Sequence, residues 1–121
     1  MIDGIQERGF DFSIRIAELV QFLRTDKLDF PLCERLLSCG VETGLVSRAL
    51  IQGDVNCEED TSEREINRKR ALTLIMEADY IIEMAQVAGY LTKEQCVHIR
   101  TDCKTLLELL RDSAKVVTGR D

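Results

Sequence analysis

An all-helical fold, an antiparallel, left-handed four-helix bundle of up-down-up-down order, follows from three observations. Apolar residues recur at alternating three- and four-residue steps in four separate stretches. No run of β-branched residues alternates with polar ones. Proline occurs once and tryptophan not at all in 121 residues. Four amphipathic helices with short or moderate connections pack most simply as such a bundle. The chain is one domain's worth, residues 1–121, and long enough to bury a core. With 45% apolar and 31% charged residues its balance is that of an ordinary soluble domain.

The first helix is expected over about residues 11–27, with Asp11 or Ser13 as its cap and residues 1–9 as a mobile lead-in. Its core stripe is Phe12, Ile16, Leu19, Val20 and Leu23. Asp29-Phe30-Pro31 breaks the pattern, and Pro31 suits the first turn of a second helix over about 31–52. That helix carries two adjacent seams. Leu32, Leu36, Cys39, Thr43, Val46 and Leu50 form one; Cys33, Leu37, Gly40, Gly44, Ser47 and Ile51 form the other. A glycine inside a helix costs about 1 kcal/mol relative to alanine. Gly40 and Gly44, four apart on one seam, therefore predict the close approach of a neighbouring backbone. A phosphate cradle is the functional alternative, and it lacks the strand-to-helix turn such cradles use.

Residues 53–61 read as a loop containing Asp54, Glu58, Glu59 and Asp60 and no base. Thr61 or Ser62 then caps a third helix over about 62–89, with Ser62 and Glu65 as a capping box. This helix is apolar on two faces. Ala71, Leu74, Ala78, Ile81, Ala85 and Ala88, widened by Ile75 and Ile82, form one stripe. Ile66, Met76, Tyr80, Met84 and Val87 form a second, nearly opposite. One face suffices for a bundle's own core, so the second predicts an oligomer interface or further helices. Gly89 marks the helix end, and Thr92 with Gln95 makes a second capping box opening a fourth helix over about 92–117. Its stripe is Cys96, Ile99, Cys103, Leu106, Leu110, Ala114 and Val117.

Chemistry is sparse. The five cysteines, Cys33, Cys39, Cys57, Cys96 and Cys103, form no C-x-x-C pair and are odd in number, which favours reduced, buried thiols. His98, the one histidine, falls nearly opposite Cys96 on its helix and reads as a surface residue. No Glu-x-x-His pair is present to hold a di-metal centre, and nucleophilic arrangements would all need His98. Asp79 and Glu83, four apart on the third helix, read as solvated carboxylates. The expectation is a protein that is not an enzyme, with no cofactor and no metal. No apolar run is long enough to span a membrane, and residues 1–9 lack the apolar core of a signal peptide. The expected location is cytoplasmic.

The net charge of −6 disfavours a dedicated nucleic-acid coat. Even so, Lys93, Arg100, Lys104, Arg111 and Lys115 fall within an arc of about 60° on the fourth helix. They could track phosphates, or flank the core stripe and pair with Glu108, Asp112 or a neighbouring subunit's acids. Arg64, Arg68, Lys69 and Arg70 oppose the dipole at the start of the third helix. Pairing with Glu58, Glu59 and Asp60 would offset that cost; a cationic rim at one end of the bundle is the alternative.

The stretch from Gly9 through Leu23, then Phe30, and the pattern Leu36-Leu37-x-x-Gly40-x-x-x-Gly44 resemble the bacterial four-helix-bundle family, also called the rRNA intervening-sequence or ribosomal-protein-like family. Ala71, Glu77, Tyr80 and Gly89-Tyr90-Leu91 fit the third-helix pattern of that family. The likeness covers nearly the whole chain and rests on packing residues. It implies a left-handed bundle that assembles into a homo-oligomer, a barrel-like pentamer in known relatives. One branch comprises accessory proteins of diversity-generating retroelements, which bind nucleic acid and a reverse transcriptase through a basic surface. The polar residues of the family's second-helix motif are replaced: its Arg by Ser38, its Asn by Val46 and its Glu by Ala49. By resemblance, the partners are further copies of the chain, with a protein partner or nucleic acid as open possibilities.

Overall fold

The structure is a computed structural model that describes residues 3–25, 29–52 and 61–118, with side chains of 4–25, 29–50 and 63–112. It contains four helices: α1 (Asp3–Arg24), α2 (Cys33–Gln52), α3 (Thr61–Val87) and α4 (Lys93–Thr118). Each packs on its neighbours in sequence, and α1 also packs on α4, which closes a four-membered ring. The register shows alternating direction. Gly9 of α1 lies against Ser47 of α2, whereas Ile16 lies against Gly40. On the next seam Arg35 meets Glu77 and Glu42 meets Arg70. All-α bundle architecture is what the apolar periodicity requires.

The core is built from the expected stripes. Phe12, Ile16, Val20 and Leu23 meet Leu36, Cys39, Ala71, Ile75, Ala78, Ile82, Cys96, Cys103, Leu106 and Leu110, all buried. Two hydroxyls lie inside it. Thr43 donates to the Cys39 carbonyl at 2.7 Å, the i−4 bond that satisfies a hydroxyl within a helix. Ser47 Oγ, buried beside Gly9, has no hydrogen-bond partner among the described residues.

Several boundaries differ from expectation. α1 begins at Asp3, so the residues expected as a mobile lead-in are largely helical. Ile5 is buried in the core and Gly9 packs on α2, and these contacts draw the extra turns onto the bundle. Ser13 is therefore no N-cap: its Oγ lies 2.6 Å from the Gly40 carbonyl and 3.1 Å from that of Gly9. Pro31 and Leu32 form a turn ahead of α2. The end of α3 is a Schellman closure. Gly89, at φ 93°, sends its N–H to the Gln86 carbonyl at 3.1 Å, and Tyr90 N–H reaches the Ala85 carbonyl at 2.8 Å. Ala88, expected in the core stripe, is consequently exposed in that turn. α4 opens with a reciprocal capping box: Thr92 N–H donates to Gln95 Oε1 at 2.8 Å, and Gln95 N–H donates to Thr92 Oγ1 at 3.1 Å. Phe30 and Tyr90 pack with their rings tilted by 58° and 4.9 Å between centroids, which ties the two connections together. Residues 53–60, including Cys57 and the acidic run, lie outside the described residues, as does the Ser62 side chain.

Candidate interaction surfaces

The seams between helices are closed in two ways. Between α1 and α2 the residues are small. A Cβ added at Gly40 would lie 2.7 Å from both Cβ and Cγ2 of Ile16; one at Gly44 would collide with Ser13 Oγ; one at Gly9 would lie 2.6 Å from Ser47 Oγ. Close packing at Gly40 and Gly44 thus has two further members, Gly9 and Ser13, from the segment read as a lead-in and cap.

The other seams carry ion pairs on their outer edges. Arg15 bonds Asp102 at 2.9 Å between α1 and α4. Arg35 bonds Glu77, and Arg70 bonds Glu42 at 2.9 Å, between α2 and α3. Between α3 and α4, Arg100 bonds Asp79 through two nitrogens at 2.8 and 3.1 Å and lies 3.6 Å from Glu83. Asp79 is thus bound to an arginine rather than merely solvated, while Glu83, its side chain 54% exposed, remains a solvated carboxylate at the edge of that pair. The Asp79 hydrogen bonds push the Arg100 guanidinium above its ordinary value.

These pairs revise the two basic clusters. Arg100, in the middle of the expected stripe, spends its charge on α3 and not on Glu108 or Asp112. Lys93 and Lys104 stay exposed along the groove that Arg100 shares with Asp79, Gln86 and Val97. Arg111 is exposed, and the Lys115 side chain is outside the described residues. At the start of α3, Arg68 binds both carboxylate oxygens of Glu65, and Arg70 binds Glu42. The described partners are therefore on α2 and α3; the loop acids expected to pair there are outside the described residues. Glu65, expected in a capping box, is held by Arg68, whose hydrogen bond lowers its pKa. Arg64 is half-buried.

The second stripe of α3 points away from the core. Ile66, Met76, Tyr80, Met84 and Val87 are all exposed, Tyr80 by 64% and Val87 by 81%. It runs between the Arg35–Glu77 and Arg70–Glu42 pairs on one flank and the Asp79–Arg100 pair on the other. An apolar strip rimmed by charge is the surface anatomy of an interaction site.

Nucleophiles are held inside. Cys33, Cys39, Cys96 and Cys103 are free, buried thiols. Burial pushes Cys39 up to about 11 and Cys103 up to about 12, so both stay protonated at neutral pH. His98 is exposed. Among the described residues no three His, Cys, Asp or Glu side chains are grouped to hold a metal ion, and no helix is long and apolar enough to cross a membrane.

No family model matches the sequence, and no curated protein sequence is significantly similar to it. Among solved structures the chain is similar to a protein of unknown function from the S23 ribosomal protein family of Bacteroides thetaiotaomicron. The two share 24% sequence identity over 92% of this chain and 98% of that one, with a TM-score of 0.79. At that identity the likeness shows the fold. The neighbour's family is ribosomal-protein-like, as is the family the helix-two and helix-three patterns resemble; this likeness does not extend to the retroelement branch.

Proposed function

We propose that the protein is a non-catalytic, self-associating helical bundle that acts as an interaction or scaffold module. The α3 stripe carries this reading. Five large apolar side chains stand exposed on a helix whose opposite face already serves the core, and such surface is ordinarily covered. The resemblance supplies the form of the assembly, a barrel-like pentamer. The absence of catalysis is part of the proposal. It is supported by thiols that are buried and protonated and by a histidine that stands apart from them on the surface. Reduced thiols also suit a cytoplasmic location. Light scattering on the intact chain tests self-association, and Tyr80→Glu should lower the mass without changing helicity.

A second reading, a nucleic-acid-binding accessory protein, draws on exposed Lys93, Lys104 and Arg111 on α4. It is weakened by the net charge of −6 and by the neutralisation of Arg100. Binding of labelled single- and double-stranded DNA and RNA at low salt tests it. Affinity that falls steeply with salt and is lost in Lys93→Glu/Lys104→Glu would favour this reading. No binding at low salt would remove it. Arg100→Glu is unsuited to that test, because it would place a third carboxylate beside Asp79 and Glu83.

A further inference from the structure

The contact line between α1 and α2 passes through Gly9, Ser13 and Ile16 on one helix and Gly40, Gly44 and Ser47 on the other. One residue further along, an α-helix turns by about 100°. Because α1 and α2 are antiparallel and both right-handed, that step carries the two chains to the same side of their seam. The core residues Phe12 and Leu36 lie on the other side, so the step leads outward. The residues it reaches are Phe10 after Gly9, Ile14 after Ser13, Val41 after Gly40 and Leu45 after Gly44. All four are exposed, Phe10 by 54% and Leu45 by 58%. Small residues draw the helix axes together, so these side chains form one apolar patch across the seam.

This patch and the α3 stripe are on different faces, since α3 is diagonal to α1 in the ring of helices. We propose that they are the two halves of one interface: the α1–α2 patch of one copy docks on the α3 stripe of the next, head to tail. The proposal rests on the self-association reading and specifies its partner surface. Four or five large side chains about half exposed present on the order of 400 Å² on each face. Joining the two patches removes about 800 Å² of apolar surface per contact. That is close to the apolar share of a standard interface of about 1,600 Å², a little over half of which is non-polar. A symmetric α3–α3 contact would leave Phe10, Ile14, Val41 and Leu45 in water in every copy. A head-to-tail contact covers both patches, and such contacts close into rings or extend as filaments.

Mixing two differently disabled chains tests this. Leu45→Glu spoils only the α1–α2 patch and Tyr80→Glu only the α3 stripe; both positions are exposed, so helicity should be retained. Each variant alone should be monomeric by light scattering at micromolar concentration. An equimolar mixture should give a complex with the mass of two chains, because one intact patch of each kind remains. If both variants are monomeric and the mixture stays so, the proposal is overturned. If Leu45→Glu assembles like the parent chain, the head-to-tail pairing fails while self-association stands. A parent chain that is itself monomeric removes both. Should Leu45→Glu lose helicity, Phe10→Glu replaces it with the same expectations.

Discussion

Arg100 of α4 is gripped by Asp79 of α3 through two hydrogen bonds, at 2.8 and 3.1 Å, with Glu83 at 3.6 Å. The pair is partly exposed, which limits its contribution to about 1 kcal/mol or less. Asp79→Asn should therefore lower the thermal midpoint slightly, whereas Arg100→Glu should lower it more, because three carboxylates would then face one another. Calorimetry of the two variants checks that order.

Gly40→Ala should destabilise the fold. Alanine would regain about 1 kcal/mol of helix propensity, but the new methyl would overpack against Ile16 at a cost of about 1–3 kcal/mol. Ile16 is fully buried and cannot step aside, so a net loss of up to about 2 kcal/mol is expected. Gly4 is the control. Its nearest neighbour for a Cβ is Arg8 Nε at 4.0 Å, so Gly4→Ala should be neutral or stabilising by up to about 1 kcal/mol. Urea unfolding of both variants distinguishes close packing from mere tolerance of glycine.

The bundle and its inner stripes were legible in the sequence because burial follows the 3.6-residue period. Leu36, Cys39 and Thr43 on α2 and Ala71, Ile75, Ala78 and Ile82 on α3 are buried as their spacing requires. The capping box Thr92/Gln95 was legible for the same local reason. What depends on neighbouring helices was not. Nothing within α4 says that Arg100 meets Asp79. Phe10, Ile14, Val41 and Leu45 sit as isolated i,i+4 pairs and become one surface only when α1 lies against α2. The early start of α1 did leave a signal: Ile5, Gly9, Phe12 and Ile16 keep helical spacing through the charged residues between them.

Acid should weaken the fold through its paired carboxylates. Hydrogen bonds from Arg70 and Ser38 hold Glu42 below its ordinary value of 4.5, and Arg68 does the same for Glu65. A depressed folded-state pKa contributes stability that is complete above the unfolded value and disappears as pH falls through the folded one. The urea midpoint should thus decline as pH drops from about 5 toward 3, and Glu42→Gln/Glu65→Gln should flatten that decline.

The thiols should be silent in the folded chain. At pH 8, iodoacetamide should leave Cys33, Cys39, Cys96 and Cys103 unmodified, since all are buried and the pKa values of Cys39 and Cys103 are raised to about 11 and about 12. In denaturant all four should alkylate. Peptide mass spectrometry reads both states; fast labelling of Cys103 in the folded chain would contradict the packing of α4.

Self-association through the outer stripe of α3 is tested most directly by the solution mass of the parent chain and of Tyr80→Glu, measured by light scattering at micromolar concentration. A parent mass of several chains, falling to one in Tyr80→Glu with the circular-dichroism helix signal intact, is the predicted result. A parent chain that is strictly monomeric, or a Tyr80→Glu assembly as large as the parent's, would contradict it.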